Sequence, residues 1–252
     1  MSTINEVFKR YETKFILTKE QYEKIAYLLS DHIKVDEYGL TTIQSIYYDT
    51  PNNFLIRRSL EKPEFKEKLR LRSYGLSTEN KKVFLEIKRK YEDVVYKRRI
   101  TLKEKEANEF LYGNSIYPDK QIAKEIAYFK KYYKDLKEAM VILYDRVAYV
   151  DNNSDLRITF DHNIRYRVDD LNLHTSLDGN LILNEGDVLM EIKTANAFPL
   201  WLARLLSENK IYKTSFSKYG KAYMIEEAKK LNGKRGKLTW KNFSDQLSVQ
   251  MA

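Results

Sequence analysis

The stretch KEKLRLR, at residues 66–72, decides the fold because charged and apolar side chains alternate along it. Lys66, Lys68, Arg70 and Arg72 occupy one set of alternating positions, and leucines occupy positions of the other set. Successive side chains of a β-strand point to opposite faces of a sheet. The stretch therefore predicts a strand with one cationic face and one apolar face.

The same alternation recurs in six further stretches, which lie at residues 8–16, 83–90, 97–99, 143–147, 155–161 and 188–193. The polar faces of these seven predicted strands carry thirteen cations, namely Arg10, Lys14, Lys66, Lys68, Arg70, Arg72, Lys88, Lys90, Lys97, Arg99, Arg146, Arg157 and Lys193. Only five acids share the faces, namely Glu12, Glu86, Asp155, Asp161 and Glu191. The whole chain has 45 Lys plus Arg against 36 Asp plus Glu, so the cations are concentrated on these faces.

Two arrangements explain such strands. An antiparallel sheet with one face in water is the simpler explanation of any single strand. Like charges ~4 Å apart repel by about 1 kcal/mol in bulk water and by about 4 kcal/mol at an effective dielectric of 20, so the whole set indicates a shared anion site. We therefore predict an α+β fold, in which an antiparallel β-barrel with a charged lumen is covered on its apolar outer face by helices.

Helical spacing of apolar residues predicts six helices, which begin near Thr18, Asn52, Lys103, Gln121, Pro199 and Ser217. Thr18 is a suitable N-cap residue for the first of them. Eight glycines and four prolines form no interdomain linker, so we expect one domain over residues 1–230. Residues 231–252 are expected to form a basic C-terminal tail. We interpret the tail as solvated; an arm for a peripheral membrane or protein partner is the alternative.

The composition of the chain limits the kinds of partner and active site that the protein can have. The net charge of +9 favours acidic partners without choosing among nucleotide, nucleic acid and membrane. The chain has no cysteine, which excludes disulfides, thiolate metal sites and a Cys-His centre. Its three scattered histidines form no metal-ligand set and suggest no Ser-His-Asp centre. No apolar run approaches the ~20 residues of a membrane span, and the first residues do not resemble a signal peptide. We therefore expect a cytoplasmic protein.

The glycine-rich loops that usually hold phosphates are missing from the sequence, so side chains must hold the anion. Arg suits this task because its planar guanidinium binds phosphate oxygens in pairs. Glu191 has two readings from the residues alone: it pairs with Lys193 or an arginine, or it holds Mg²⁺ or Mn²⁺ against phosphate oxygens. Ser217 and Lys218 also have two interpretations. They form either an ordinary helix cap with an exposed lysine or a phosphate contact at a helix N-terminus.

Seven ordered motifs resemble the catalytic domain of the vacuolar transporter chaperone (VTC) family of the triphosphate tunnel (CYTH) superfamily. They are RYETK at 10–14, KLRLRSYG at 68–75, FLEIKRK at 84–90, YDRVAY at 144–149, LRITFD at 156–161, LMEIK at 189–193 and SFSKYGKAY at 215–223. The resemblance covers nearly the whole chain. It implies a triphosphate tunnel fold and an enzyme that makes polyphosphate from ATP.

The resemblance also implies roles for particular residues. A catalytic role follows for Lys88, Arg146, Arg157 and Lys218, and Glu191 is the implied ligand of a Mn²⁺ or Mg²⁺ cofactor. The implied substrate-binding residues are Arg10, Lys14, Lys68, Arg70, Arg72, Lys90, Lys97, Arg99, Tyr144, Lys193 and Ser217. Which of Lys97, Arg98 and Arg99 points inward stays open at this point.

One departure bears on the activity. Related tunnel triphosphatases begin with an E-x-E-x-K strand, whereas Arg10 stands at the first acidic position here. The sequence therefore favours a polyphosphate polymerase that transfers the γ-phosphoryl group of ATP to a phosphate or polyphosphate chain. A tunnel triphosphatase is the first alternative, and a non-catalytic binder of polyanions or nucleic acid is the second. ATP and polyphosphate are the expected partners, and nucleic acid is not.

Overall fold

The computed structural model describes residues 11–92, 94–113, 121–151, 154–195 and 197–235. Ten strands lie in this part of the chain: β1 Tyr11–Leu17, β2 Lys34–Val35, β3 Thr41–Asp49, β4 Phe65–Tyr74, β5 Lys82–Tyr91, β6 Val94–Lys103, β7 Lys137–Val150, β8 Arg157–Arg167, β9 Asn180–Leu181 and β10 Val188–Thr194. It also contains six helices: α1 Lys19–Leu29, α2 Phe54–Leu60, α3 Glu104–Tyr112, α4 Gln121–Tyr132, α5 Leu200–Glu208 and α6 Lys218–Arg235.

The strands form one antiparallel sheet in the order β1-β10-β8-β7-β3-β4-β5-β6, with β2 added to β7 and β9 added to β8. Glu12 of β1 and Lys88 of β5 stand far apart in this order. Burial opposes the ionisation of Glu12, but the nearby ammonium groups of Lys88 and Lys14 outweigh it and lower the pKa of Glu12. Lys14 of β1 and Lys68 of β4 also form hydrogen bonds with two adjacent residues that precede α6. The sheet therefore curls into a barrel, although β1 and β6 form no ladder with each other in the described residues. The predicted α+β class and antiparallel barrel are confirmed.

The apolar faces of the strands point outward and are covered by helices, as the sequence predicts. On one side, α1 and α5 pack over Phe15, Ile158, Phe160, Met190 and Ile192. On the other side, α3 and α4 pack over Leu69, Leu71, Val83, Leu85 and Ile100. Each fully buried Leu or Ile side chain contributes about 1.5–3 kcal/mol, so these two layers supply much of the stability of the barrel.

One end of the barrel interior is apolar, which corrects the expectation that every helix covers the outside. Inward-facing residues at this end pack against α6 and α2; they are Tyr47, Met140, Ile142, Ile164, Tyr166 and Leu189. Tyr219 and Ala222 of α6 and Ile56 of α2 complete the cluster. The first residue of α6, Lys218, therefore lies close to the barrel interior.

The helix boundaries follow from local hydrogen bonds. Thr18 caps α1 through a capping box with Gln21, as predicted. Asp49 holds the start of α2, because its carboxylate accepts hydrogen bonds from the backbone N–H groups of Leu55 and Ile56 at 2.9 and 3.0 Å. The domain boundary expected at residue 230 falls inside α6, and residues 236–252 of the expected tail lie outside the described residues.

No helix within the described ranges combines the length and apolar character that a membrane span requires.

Candidate functional site

Strand register decides which cations face the interior of the barrel. Lys68 of β4 lies opposite Lys88 of β5, which lies opposite Lys97 of β6. Arg70, Glu86 and Arg99 form the next such row. Arg98 points the other way and pairs with Glu125 of α4 at 2.7 Å. Lys97 and Arg99 are thus inward-facing, which settles the alternative that the sequence left open.

Glu86 holds one group of these cations together. Its carboxylate lies 2.7 Å from Arg70 Nε, 2.7 Å from Lys97 Nζ and 3.8 Å from Arg72 Nε. Burial opposes the ionisation of Glu86, but these cations outweigh it and lower the pKa of Glu86 to about 2. Glu86 is therefore ionised at neutral pH and fixes the positions of the surrounding cations.

A second group is centred on Asp161 of β8 and Glu191 of β10. Arg146 donates to both oxygens of Asp161, at 2.5 Å from Nε and 2.7 Å from Nη2. Lys218 Nζ lies 2.5 Å from Asp161 Oδ2 and 3.2 Å from Glu191 Oε1. Lys193 Nζ lies 3.0 Å from Glu191 Oε2. Residues distant in sequence thus share one network of charges at the inner surface of the barrel.

Electrostatics keeps this second group charged. Burial opposes the ionisation of Glu191, but Lys218, Lys193, Lys14 and Arg146 hold its pKa well below the usual range. Burial also opposes the positive charge of Lys218, but Asp161 and Glu191 outweigh it and raise the pKa of Lys218. Glu191 is therefore a weak base at neutral pH, and Lys218 stays protonated.

Tyr144 lies between the two groups. Its hydroxyl accepts a hydrogen bond from Arg72 Nη2 at 3.3 Å. Its ring lies 4.5 Å from Lys218 Nζ and 5.0 Å from the guanidinium carbon of Arg146, which is the geometry of a cation–π contact. Tyr144 therefore links the cations of β4 with those of β7 and α6.

Lys14 and Lys68 connect the strands to the start of α6. Lys14 Nζ donates to the carbonyl of Phe216 at 3.0 Å and lies 3.8 Å from Glu191. Lys68 Nζ donates to Ser217 Oγ at 3.2 Å, while the same hydroxyl accepts from the backbone N–H of Gly220 at 3.2 Å. Ser217 is thus the expected helix cap, and it also faces the cationic interior.

Other predicted site residues lie apart from these two groups. Arg157, expected to be catalytic, pairs with Asp36 at 3.0 Å and its side chain is 45% exposed. Lys66 Nζ approaches the carbonyl of Ser59 at 3.4 Å. The Arg99 guanidinium lies 4.8 Å from the centre of the Phe84 ring. Lys90 is half-buried on β5, and Arg10 lies outside the described residues.

Sequence reasoning missed the organising role of two acids and one tyrosine. Glu86 and Asp161 entered only as a minority on a cationic face, yet each holds two cations within 2.7 Å. The sequence did not predict Tyr47 as a site residue. Tyr47 lies two positions after Ser45 on β3, so both side chains point to the inner face, beside Arg70 and Arg72 of β4. The available signal was the shared strand phase of these residues with the cations.

A divalent metal fits this interior only together with phosphate. Within the described residues, no three His, Asp or Glu side chains are grouped as a metal site. Glu191 supplies one ionised carboxylate. Thr159, which lies opposite Glu191 in register, has a buried hydroxyl that finds no hydrogen-bond partner in the described part of the chain. Such an oxygen set suits Mg²⁺ or Mn²⁺ when substrate oxygens provide the remaining ligands.

The fold and the site define a barrel of the triphosphate tunnel type with a cationic lumen. The VTC domain model matches residues 9–226, and the chain belongs to the VTC domain family. No protein in the curated set matches the chain.

Solved structures show the same fold at low sequence identity. A putative adenylate cyclase from Bacillus halodurans is 14% identical with a TM-score of 0.52, and the alignment covers 83% of this chain and 95% of that one. A putative adenylyl cyclase from Hippeastrum, described as having a dominant triphosphatase activity, is 15% identical with a TM-score of 0.51, and the alignment covers 91% and 97% of the two chains. At these identities the likeness supports the tunnel fold.

Proposed function

We propose that this protein is a polyphosphate polymerase. It transfers the γ-phosphoryl group of ATP to a phosphate or polyphosphate end and releases ADP. The oxygen bridging the β- and γ-phosphorus atoms leaves with its electron pair, and a terminal oxygen of the acceptor forms the new P–O–P bond. Phosphoryl transfer needs positioning and charge neutralisation more than covalent participation by the protein, which suits an interior made of fixed cations.

The residues divide this work by position. Arg70, Arg72 and Lys97 are anchored at Glu86 and present cations to one side of a linear triphosphate. Arg146 and Lys218 are anchored at Asp161 and neutralise charge that develops on the transferred group. A Mg²⁺ or Mn²⁺ ion held by Glu191 and phosphate oxygens would add Lewis acidity there.

The ion pairs of the lumen carboxylates favour transfer over hydrolysis, since cations lie 2.5–3.2 Å from Glu86, Asp161 and Glu191. Water must lose a proton to become a good nucleophile, whereas a phosphate acceptor is already ionised. The pKa values of Glu12, Glu86, Asp161 and Glu191 are all lowered by adjacent cations, which outweigh burial. These carboxylates are therefore poor general bases at neutral pH. Arg10, which stands at the first acidic position of the E-x-E-x-K pattern, also favours transfer over hydrolysis.

Incubation with ATP and Mn²⁺ or Mg²⁺, followed by separation of polymer from free phosphate, tests the proposal. We expect ADP and acid-labile polyphosphate in matching amounts. Arg98→Gln is the matched control, because Arg98 carries the same charge on the outer face and should leave the product unchanged. Free phosphate in place of polymer would identify a triphosphatase, the activity described for the Hippeastrum protein.

Competition separates the enzyme from a non-catalytic binder. A nucleic-acid site depends steeply on salt and accepts long polyanions along an open surface. We expect tripolyphosphate to bind in the lumen and DNA to leave it in place at physiological salt. Displacement of tripolyphosphate by DNA, together with no turnover of ATP, would favour the binding module.

A further inference from the structure

Tyr47 lies on the inward face of β3, where its side chain is buried. Its hydroxyl accepts a hydrogen bond from Arg70 Nη1 at 3.1 Å. Its ring stacks on the ring of Tyr219 in α6, with the centroids 4.6 Å apart and the planes at 22°. The residue thus contacts both a lumen cation and the helix that fills the apolar end.

Tyr47 is held from behind by a fixed partner. The Tyr219 hydroxyl donates to Asp49 Oδ2 at 3.0 Å. Asp49 is itself fixed, because it accepts the backbone N–H groups of Leu55 and Ile56 at the start of α2. Two rings and one carboxylate therefore determine where the Tyr47 hydroxyl stands.

The fixed position of the Tyr47 hydroxyl determines the orientation of the Arg70 guanidinium. A guanidinium is planar and carries five N–H groups, so two hydrogen bonds in different directions fix its plane. Arg70 donates a hydrogen bond from Nε to the Glu86 carboxylate at 2.7 Å and another from Nη1 to the Tyr47 hydroxyl at 3.1 Å. Within the described residues, Nη2 of Arg70 donates to no protein group, so its N–H groups can bind phosphate oxygens.

We propose that Tyr47 is a positioning residue that orients Arg70 for polyanion binding and couples this orientation to α6. The inference rests on the proposed function, since it takes the ligand of Arg70 to be a polyphosphate. The surrounding charges support it. Burial opposes the ionisation of Tyr47, but Arg70, Lys68 and Arg72 outweigh it and lower the pKa of Tyr47 to about 8. The Arg70 guanidinium thus lies where it stabilises negative charge on the Tyr47 oxygen.

Binding of tripolyphosphate measured by calorimetry tests the role. Tyr47→Phe removes the hydroxyl and keeps the ring stack, and we expect about tenfold weaker binding, the loss of one charge-assisted hydrogen bond. Tyr48→Phe is the matched control, because Tyr48 is the next residue of β3, lies on the outer face and is equally buried. We expect its affinity to equal that of the wild type.

A double-mutant cycle with Arg70→Lys separates positioning from a general structural effect. A lysine has no planar group to orient, so Tyr47→Phe should cause little further loss in the Arg70→Lys background. If the tenfold loss persists there, or if Tyr47→Phe alone binds like the wild type, the positioning role is wrong. Failure of the wild type to bind tripolyphosphate would instead overturn the proposed function and this role with it.

A measurement on the wild type covers the case in which Tyr47→Phe does not fold. Tyrosinate absorbance near pH 8.5 should include a contribution from Tyr47. Tripolyphosphate at Arg70 adds negative charge nearby and raises the pKa of Tyr47, so the absorbance should fall by up to about three quarters of one tyrosine equivalent. An unchanged absorbance at saturating tripolyphosphate would contradict the contact between Arg70, Tyr47 and the ligand.

Discussion

The inner and outer faces of the same strands both carry arginines, but the number of cations per acid differs between the two faces. On the outer face, three arginines meet three acids: Glu125 pairs with Arg98 at 2.7 Å and with Arg89 at 2.9 Å, Glu67 pairs with Arg89 at 3.0 Å, and Asp145 pairs with Arg165 at 3.0 Å. On the inner face, Glu86 is shared by three cations, and Asp161 and Glu191 share Arg146 and Lys218. An arginine on a strand therefore does not by itself indicate an anion site. An excess of cations over acids on one face distinguishes a binding surface from structural ion pairs.

The largest expected difference concerns stability. Asp161→Asn removes the nearer of the two carboxylates that Arg146 and Lys218 contact and leaves them Glu191 at 3.5 and 3.2 Å. Breaking such a buried pair costs about 3–5 kcal/mol. Asp145→Asn on the outer face weakens bonds to Arg165, Asn163 and Thr42 near solvent, and we expect a loss of about 1–2 kcal/mol. Urea unfolding of both variants measures the difference. Equal losses would show that the two faces are energetically alike.

Turnover should respond almost as strongly at the start of α6. Lys218→Met removes a cation that contacts both Asp161 and Glu191, and we expect about 100-fold lower ATP turnover, the effect of losing one preorganised charge in a transition state. Lys221→Met, one turn later on the same helix, is the comparison and should retain most of the activity. Rates measured at saturating ATP, with the unfolding midpoint checked for both variants, separate catalysis from folding.

Raising the pH from 7 to 9 should weaken tripolyphosphate binding. Burial lowers the pKa of Lys68 to about 8, and burial also lowers that of Lys97 to about 8 despite the attraction of Glu86. Tyr47 gains negative charge over the same range. Each change makes the lumen less positive, and restoring the proton of Lys68 alone costs about tenfold in affinity at pH 9. Lys68→Gln should reduce this pH dependence, whereas an equal slope in that variant would contradict the assignment.

A smaller effect is expected from two adjacent arginines of β6. Arg99→Gln removes an inward cation that is partly open to solvent, so we expect about three- to fivefold weaker tripolyphosphate binding. Arg98→Gln removes the same side chain one position earlier, on the outer face, and should change the affinity little. The same calorimetric titration measures both. Equal effects on affinity would show that net charge, and not the face of the strand, governs binding.

Strand phase explains how much of the fold the sequence predicts. Lys66 to Arg72 and Val83 to Lys90 alternate so regularly that the two faces can be read directly, and all six helices begin near the predicted residues. The position of α6 was not predictable in this way. Its apolar residues fit either face of the barrel, and only the packing of Tyr219 and Ala222 with Ile142 and Ile164 determines the inner position.

The sequence predicts the cations of the site, but it does not predict that they divide into one group around Glu86 and another around Asp161 and Glu191. Alternation alone cannot distinguish Lys97 from Arg98, because that choice depends on register with Glu86 across the β5–β6 ladder. Similarly, Asp161 becomes an anchor only because α6 brings Lys218 to the side of Arg146. Contacts between residues distant in sequence depend on the assembled barrel, and local patterns do not encode them separately.

The position of β6 at the end of the strand order has a consequence for the behaviour of the protein in concentrated solution. An edge strand presents unpaired backbone groups that a second copy can extend, and such pairing leads to aggregation. Residues 95–99 of β6 are exposed, and three of them are consecutive cations, Lys97, Arg98 and Arg99. A second β6 aligned beside this edge would bring like charges together, and we expect the resulting repulsion to oppose pairing between molecules.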